Sequence, residues 1–461
     1  MKKLVSVLLA AVMLILPVIG SSAADSGSDT DFTPVIRFAL CSDTHIKDDS
    51  DVNAERIGML MDIAYAEAEK DPSYNKLDAL LIAGDLTNDG RKSEFDKFWR
   101  AVSGSLRGDT RFLGVVAKSH DGWDMPRQEM LDYYETLSGN KADFHEVING
   151  YHFIGVSVSP KEAYRYDFDQ MAWLKKQLDA AVADDPNKPI FVMQHEHLLD
   201  TVYGSSIYDG WGQPELNGII GMYPQVVDVS GHSHYPLNDP RSIWQGLFTA
   251  IGTGAIYYAE FTIDEMRAYD PPDCQEAATF WLVELDAAST LHLRGFDVNE
   301  NKMLCEYYID NPADITNRDY TNAAKRARAK APVFAEGTEI KTEVSDGKCV
   351  VTVPKAESTD GMPIVLYRAY AKNRLGITIA ETWTLPYYYR AIEQEEISFT
   401  LEGLGNEPYT ISVVAENAFG MKSAPVKTTI QGEGGNAFET LINRIVSVFN
   451  HFIDFIKGLF D

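Results

Sequence analysis

The chain has 461 residues, which is more than one ordinary domain requires and indicates two or three domains. Its composition, 45% hydrophobic and 24% charged, is typical of folded proteins and excludes a largely disordered chain. The formal net charge of −27 argues against nucleic acid or an acidic membrane as a partner, because phosphate polyanions bind to clustered Lys and Arg.

The N-terminus has the pattern of a secretory signal. Two lysines precede the apolar run Leu4–Ile19, and small residues then offer a cleavage site after Ala23 or Ala24. We therefore expect a cleaved signal peptide over residues 1–24 and a secreted or otherwise extracytoplasmic protein. The alternative, an uncleaved membrane anchor, normally needs a longer apolar run of ~20 residues. The Ser-, Asp- and Gly-rich residues 25–33 predict a flexible leader.

Strand-like and helix-like patterns alternate from residue 34 to residue 315, which predicts one large α/β domain. Between two of the strands stands Asn149-Gly150, a strong hairpin signal. The predicted strands are Val35–Leu40, Ala79–Ala83, Phe112–Ala117, Phe144–Ile148, His152–Val158, Ile190–Met193, Val226–Val229, Leu247–Ile251, Phe280–Leu285 and His292–Val298. The predicted helices are Val52–Lys70, Lys92–Val102, Arg127–Leu137 and Asp167–Val182.

The remaining third of the chain has a different character. Residues 316–331 are Ala-rich and predict a connector helix, and residues 332–431 carry short strands and turns that predict an all-β sandwich. Its predicted strands are Lys348–Val353, Pro363–Ala371, Ile397–Leu401 and Tyr409–Glu416.

A Gly-rich linker over 432–436 leads to an amphipathic helix over 437–461. Three uses of this helix are open: docking onto the rest of the chain, self-association, or binding at a membrane surface. Its near-balanced charge favours the first two, because helices at membrane interfaces usually have a basic polar face.

Five short motifs carry side chains that a two-metal hydrolase uses, and most of them follow an apolar strand. Open α/β sheets place ligands at such strand ends. Taken singly, each motif fits a polar loop equally well, but their ordered occurrence favours one shared site. In chain order they are Asp43-Thr44-His45, Gly84-Asp85, Ser119-His120-Asp121, His195 and Gly231-His232-Ser233-His234.

The spacing within these motifs suits metal binding. Asp43 and His45 are two residues apart on an extended segment, so their side chains can point the same way and converge on one ion. His232 and His234 repeat this spacing, and imidazoles suit Zn, Mn, Fe or Ni. Asp85 is the natural bridging carboxylate. A bound metal would also reverse the local negative charge and so accommodate a phosphate-containing substrate.

These motifs resemble those of the calcineurin-like metallophosphoesterases across residues 36–240. The resemblance implies a four-layer α/β/β/α sandwich and hydrolysis of small phosphomono- or phosphodiesters by in-line attack of metal-bound hydroxide. It implies that His120 gives a proton to the departing oxygen. It also implies two divalent metal ions (Mn, Fe, Zn or Ni), one held by Asp43, His45 and His234, the other by His195, His232 and the residue at Ser119, with Asp85 bridging.

The sequence departs from the family pattern at Ser119, where the family has Asn as a ligand to the second metal. Three outcomes are open: Ser119 binds weakly or through water, Asp121 or Asp124 replaces it, or the second site is depleted. The departure motivates an alternative function, a catalytically weakened binding or adhesion protein at the cell envelope. Because the other ligands and His120 are retained, the active enzyme with a looser second metal is the favoured interpretation.

Further residues are candidates for contact with the substrate. Asn88 follows the bridging Asp85 and could orient phosphate. Several loop aromatics and a second histidine could line the pocket, although a packing role explains each of them equally well. The substrate-binding candidates are Asn88, Asp121, Trp123, His197 and Tyr235, with Tyr203 and Trp211 as further loop aromatics.

The segment from Leu404 to Pro425 resembles the closing strands of a fibronectin type III domain. The resemblance implies that Tyr409 forms a hydrogen bond back to the preceding turn. The chain has four cysteines, too few for a disulfide scaffold of this size. Cys41 is expected to be a buried strand thiol, and a pairing of Cys274 with Cys305 is left open.

Overall fold

The computed structural model describes residues 32–433. The predicted signal peptide, almost all of the predicted leader, most of the linker and the predicted terminal helix lie outside this range. No helix within residues 32–433 combines the length and the apolar character that crossing a membrane requires.

The elements of the first part of the chain alternate between strands and helices. In chain order they are β1 Pro34–Cys41, α1 Val52–Glu69, β2 Ala79–Ala83, α2 Lys92–Ser105, β3 Arg111–Val115, α3 Arg127–Ser138, β4 Phe144–Ile148, β5 Tyr151–Gly155, α4 Phe168–Asp184, β6 Ile190–Leu198, β7 Gly212–Gln213, α5 Asn217–Ile220, β8 Val226–Gly231, β9 Ile243–Gln245, β10 Thr249–Gly252, β11 Phe261–Ile263, β12 Met266–Tyr269, β13 Thr279–Asp286, β14 Leu291–Asp297 and β15 Lys302–Ile309. The second part contains α6 Asn322–Arg328, β16 Lys341–Ser345, β17 Lys348–Pro354, β18 Ile364–Lys372, β19 Thr378–Thr384, β20 Glu396–Leu401, β21 Pro408–Asn417 and β22 Val426–Gln431.

Two large sheets form the first part of the molecule. One has the strand order β15-β14-β13-β1-β2-β3, in which β1, β2 and β3 are parallel. The other has the order β4-β5-β6-β8-β10-β9, with the short β7 beside β6, and β5, β6, β8 and β10 are parallel. Within each sheet the parallel strands therefore end at one common edge, where the predicted motifs follow them.

The two sheets pack face to face through a buried apolar core. Phe38 of the first sheet packs edge-on against Phe153 and Phe191 of the second, with ring centroids 5.3 and 5.1 Å apart. A second core lies between the first sheet and α1, α2 and α3, and a third between the second sheet and α4 and α5. The layer order is helix, sheet, sheet, helix, and the prediction of a mixed α/β fold with two sheets is confirmed.

The strands and helices predicted for this part agree with the structure to within a few residues at most boundaries, whereas edge elements were missed. Strand β15 was not predicted, because its sequence alternates poorly and most of its residues are half-buried or exposed at the sheet edge. The connector helix is shorter than predicted and spans only Asn322–Arg328. In the second part β16, β19 and β22, which all lie at sheet edges, were also missed.

The second part consists of two antiparallel sheets, β16-β17-β20 and β19-β18-β21-β22, with an apolar core between them. The Tyr409 hydroxyl accepts a hydrogen bond from the Gly405 N–H at 2.8 Å and donates to the Glu407 carboxylate at 3.1 Å. This is the contact to the preceding turn that the sequence implied. The region is β-rich as predicted, and its assignment as fibronectin type III stays a prediction. All four cysteines are free thiols, so Cys274 and Cys305 do not pair.

The two parts are in contact. Phe261 and Ile263 of β11 form an apolar cluster with Leu366 and Tyr389 of the β-rich part. The α6 helix is anchored by Lys325, whose buried ammonium donates to the carbonyls of Pro240 at 3.0 Å and Ile243 at 2.5 Å.

Candidate metal centre

The six predicted metal ligands come from both sheets and meet between them. In the first sheet, Asp43 and His45 follow β1, and Asp85 lies two residues after β2. In the second sheet, His195 lies on β6, and the last two follow β8. His232 is half-buried and the other five are buried. The common edge of the parallel strands thus brings together side chains that are as far apart in sequence as 43 and 234.

One group of ligand atoms comprises Asp43, His45 and His234, all within 4.8 Å of one another. Asp43 Oδ1 lies 3.1 Å from His234 Nε2 and 3.8 Å from His45 Nε2. The two Nε2 atoms are 3.2 Å apart. These are the three residues that the family resemblance assigns to one metal ion.

A second group comprises Asp85, His195 and His232. Asp85 Oδ2 lies 3.2 Å from His195 Nε2, which is 3.2 Å from His232 Nδ1. The same Asp85 oxygen is 3.8 Å from His45 Nε2 of the first group. Asp85 therefore stands between the two groups, as a bridging carboxylate must.

The backbone at these positions is unusual. Five of the six residues have positive φ: Asp43 at 52°, His45 at 41°, Asp85 at 48°, His232 at 72° and His234 at 55°. Such conformations cost non-glycine residues on the order of 1–3 kcal/mol each and concentrate at functional sites. The turns after β1, β2 and β8 are therefore held in conformations that direct these side chains inward at the expense of local stability.

The glycines of the motifs are needed for close approach. Gly84 has a φ of 87°, and a Cβ there would lie 2.6 Å from His195 Nδ1. A Cβ on Gly231 would lie 2.4 Å from Asp43 Oδ2. Both distances are shorter than real Cβ contacts, so only glycine lets the ligands pack against the backbone at these positions.

The pKa values of the ligand side chains are shifted by burial and by the opposite charges that face them. Burial lowers the pKa of His45 and of His232 to about 4, so both imidazoles are neutral at neutral pH and offer lone pairs. Burial acts to raise the pKa of Asp43, but His234 and His45 outweigh it and hold that pKa well below its usual range. Burial acts to lower the pKa of His195 and of His234, but the carboxylates that face them outweigh it and raise both values. Asp43 Oδ1 forms no hydrogen bond of regular geometry although His234 Nε2 is 3.1 Å away. A divalent cation would take the place of the protons on these two histidines and satisfy the converging atoms, and the donor set fits one.

Comparison with known proteins agrees with this geometry. Residues 36–236 match the family model described as calcineurin-like phosphoesterase. The match supports a metal-dependent phosphoesterase domain. No curated protein matches the chain.

The following solved structures are distant likenesses of this chain. Purple acid phosphatase PPD1 from yellow lupin (Lupinus luteus) seeds shares 14% identity at a TM-score of 0.42, over 60% of this chain and 53% of its own. The present chain thus spans about half the length of that structure. The PKD1 domain of the Vibrio cholerae metalloprotease PrtV shares 16% identity at a TM-score of 0.15, over 23% of this chain and 99% of its own. A twitchin kinase region from C. elegans shares 19% identity at a TM-score of 0.16, over 22% of this chain and 16% of its own.

Ser119 lies beside Asp85, the predicted bridging carboxylate. Its hydroxyl donates to Asp85 Oδ1 at 2.5 Å. Neither acidic alternative joins the metal groups. Asp124 is exposed, and Asp121 is fully buried and accepts hydrogen bonds from the Thr87 N–H at 2.9 Å, the Thr87 hydroxyl at 2.8 Å and the Ala117 N–H at 2.9 Å. The prediction that Asp121 contacts substrate or replaces Ser119 is wrong, because its oxygens brace the loop after β2.

His120 lies at the edge of the centre. One of its ring nitrogens is within 4.8 Å of ligand atoms of His45 and Asp85. Its Nδ1 donates to the carbonyl of Asn88 at 2.7 Å, which fixes the ring and leaves Nε2 for the site. Trp123, a residue that is 61% exposed, packs against the imidazole with ring centroids 4.0 Å apart.

The structure places the other predicted substrate contacts differently. Asn88 supports His120 through its carbonyl, while its side chain donates to Asp89 at 2.8 Å. His197 is buried, and its two ring nitrogens are 2.9 and 2.7 Å from the hydroxyls of Ser230 and Ser233. Tyr235 is buried, with its hydroxyl 2.5 Å from that of Thr262. The substrate-contact predictions for His197 and Tyr235 are wrong, because both side chains are satisfied inside the fold.

Two tyrosines beside the centre were missed. The Tyr257 ring lies 5.1 Å from the ring of His45, and the Tyr258 ring lies 4.2 Å from that of His234. Both follow β10, the strand next to β8 in the second sheet. The Tyr-Tyr pair after an apolar strand was the available signal, but it contains no metal-ligating residue type and so did not stand out.

Proposed function

We propose that this chain is a secreted phosphoesterase that hydrolyses small phosphomono- or phosphodiesters with two divalent metal ions. The observation that carries the proposal is the convergence of two Asp/His groups on the shared carboxylate of Asp85. Asp43, His45 and His234 would hold one ion, and His195 and His232 the other. Ions there (Mn, Fe, Zn or Ni) would polarise phosphoryl oxygens and lower the pKa of water.

Within this proposal His120 holds the proton that the departing oxygen takes. Its Nδ1–H is engaged by the Asn88 carbonyl, so proton delivery is left to Nε2. The exposed face of Trp123 beside it offers an apolar surface to the leaving group. Loss of a leaving group as a neutral alcohol is then favoured over expulsion of an alkoxide.

Turnover of model substrates tests the proposal. The full chain, loaded with Mn, Fe, Zn or Ni, is expected to hydrolyse p-nitrophenyl phosphate or its bis-ester, and to lose this activity after chelation. Asp85→Asn is expected to abolish turnover, whereas Asp124→Asn, an exposed carboxylate outside both groups, should leave it unchanged. The ratio of the two rates separates monoesterase from diesterase. Absence of turnover with every metal would favour the alternative, a binding or adhesion protein on a weakened hydrolase fold.

The Ser119→Asn variant tests the second metal site. The Ser119 hydroxyl is committed to Asp85 Oδ1, and an Asn side chain is longer and carries an amide oxygen that suits a metal. We expect Ser119→Asn to bind the second ion on the order of 10–100-fold more tightly, the scale of changes next to metal ligands. Metal stoichiometry at increasing chelator concentration measures this. Equal stoichiometry and equal activity in the two proteins would refute a loosened second site.

Secretion and the C-terminal part of the proposal rest on sequence. The N-terminal pattern supports export. The amphipathic segment 437–461 supports docking or self-association. Fractionation of cells that express the full gene tests export, and a cytoplasmic, uncleaved protein would contradict it. Measurement of the size of the mature protein with and without residues 437–461 tests self-association.

A further inference from the structure

A cavity of about 650 Å³ lies at the contact of the two parts of the molecule, with no metal-centre residue in its lining. Its walls are the β11–β12 hairpin on one side and the outer face of strands β18 and β19 on the other. This volume is in the range that small organic ligands occupy. Its lining includes Asp264, Tyr269, Arg368, Tyr370, Glu381 and Trp383.

The register of β18 and β19 explains why four of these side chains share one face. Arg368 is paired with Trp383, and Tyr370 with Glu381. The intervening Ala369 is fully buried in the core of the sandwich. Because alternate residues of a strand point to opposite faces, the two pairs form a block of four side chains on the outer face.

Aromatic rings form a corner of the cavity. The rings of Tyr269 and Trp383 are 5.1 Å apart and nearly perpendicular, at 80°. Tyr370 adds a third, half-buried ring. Faces of aromatic rings attract cations, tryptophan most strongly, and proteins enclose quaternary ammonium groups in cages of aromatic rings.

The charges of the cavity also favour a cation. Arg368 is fully engaged: its terminal nitrogens donate to both Asp264 oxygens at 2.8 and 2.6 Å, and its Nε donates to Glu416 at 3.1 Å. It is therefore not free to bind an anion. The Glu381 carboxylate has neither an ion pair nor a hydrogen bond to any residue in the range 32–433, which leaves one uncompensated negative charge beside the rings.

We propose that this cavity binds a quaternary ammonium group, with choline as the simplest ligand. The aromatic corner supplies the cation–π surface and Glu381 the counter-charge. The group is equally present in the free compound and in a phosphocholine headgroup, and the cavity recognises the part that they share. This site is separate from the proposed hydrolytic centre and does not depend on its activity.

Calorimetric titration of the full chain with choline tests the proposal. Its control ligand is 3,3-dimethyl-1-butanol, which has the same shape without the charge. We expect choline to bind at least about tenfold more tightly than this alcohol. We expect Trp383→Leu to weaken the affinity for choline about tenfold and Glu381→Gln to weaken it about threefold. Trp383→Phe should retain most of the affinity. Glu343→Gln, an exposed carboxylate on β16 of the other sheet, should change nothing.

The titrations distinguish a choline site from a cavity that does not bind choline. No heat from choline up to roughly 10 mM, equal binding of the neutral alcohol, or choline binding unaffected by both variants would overturn the site. If Trp383→Leu does not fold, the exposed Glu381→Gln still gives the answer. Binding of free choline but not phosphatidylcholine vesicles identifies a soluble ligand, and binding to both identifies the headgroup as an additional source; each supports the proposal.

Discussion

His120 is the residue on which the proposed chemistry depends most directly. We predict that His120→Gln lowers kcat for an alkyl phosphate by roughly 10²–10⁴-fold, the usual contribution of a general acid. The loss should be much smaller for p-nitrophenyl phosphate, because p-nitrophenolate leaves without a proton. Steady-state kinetics on both substrates measure this, with metal content as the control for an intact centre. An equal loss for both substrates would assign His120 to metal or phosphate binding instead.

Asp228 on β8 is predicted to make stability depend on pH. Burial raises its pKa to about 7, against the hydrogen bonds from Gln194 and Ser230. An unfolded Asp has a pKa of about 3.9, so the folded state alone keeps the proton between these values. The stabilising contribution is complete below about pH 4 and is lost as pH rises through about 7.

Asp228→Asn removes this dependence. We expect the substitution to raise the free energy of unfolding at pH 8 by about 2–3 kcal/mol more than it does at pH 5. Chemical denaturation at the two pH values measures the difference. The exposed Asp49→Asn serves as the matched control. A variant that loses stability equally at both pH values would show that Asp228 acts through its hydrogen bonds alone.

At the scale of elements, the ends of β1, β2 and β8 build the centre because their turns adopt left-handed backbone. Gly84 sits in the turn after β2, with a φ of 87° and His195 against its α-carbon. We predict that Gly84→Ala displaces the His195 ring, lowers the affinity for the ion that His195 would hold, and costs roughly 1–3 kcal/mol of stability. Metal content and thermal unfolding of the variant measure both effects.

Gly104 near the end of α2 provides the matched control. A Cβ there meets no atom within 4 Å, and its φ is not positive. Gly104→Ala should therefore leave metal binding unchanged and stabilise the helix by roughly 0.5–1 kcal/mol, because alanine loses less backbone entropy on folding. If both glycine variants bind metal equally well, the close approach at Gly84 does not control the ligand position.

At the scale of the whole molecule, Phe261 couples the α/β part to the β-rich part. Its side chain is 1% exposed and packs against the ring of Tyr389 at 4.9 Å. We predict that Phe261→Ala costs roughly 3–5 kcal/mol and uncouples the two parts, so that calorimetry shows separated unfolding transitions. Phe168→Ala, at a position 74% exposed, should leave the unfolding profile unchanged. A single transition at lower temperature in the Phe261 variant would contradict the uncoupling.

Strands with buried faces were predicted from the sequence more accurately than half-exposed strands. The central strand Ala79–Ala83 was predicted with its observed bounds, because a continuous apolar run marks a strand that is covered on both faces. Phe144–Ile148 lies at a sheet edge and was also predicted with its observed bounds, because its apolar residues alternate and the Asn149-Gly150 turn signal follows it. Edge strands such as β15 and β19 are half-exposed, and their sequences carry no comparable period. Their pairing is decided by the neighbouring strand, which lies outside the local sequence.

The candidate site divides in the same manner. Asp43, His45 and the His232–His234 pair stand out by residue type and spacing. From the sequence alone they were predicted to form one metal centre. His197 has the same type and spacing relative to His195, yet the hydroxyls of Ser230 and Ser233 hold it in the interior. Whether His195 or His197 faces the metal centre depends on how β6 pairs with β8. The local spacing of the two histidines does not contain this information.

The sequence by itself determined the chemistry available to this protein: which strands end in carboxylates and imidazoles, and in what order. Only the tertiary structure decided which of these groups meet, that Ser119 is bonded to Asp85, and that Asp121 braces a loop. The physical reason is that metal-ligating atoms must approach within a few ångströms, and such distances are set by the packing of two sheets from segments almost two hundred residues apart.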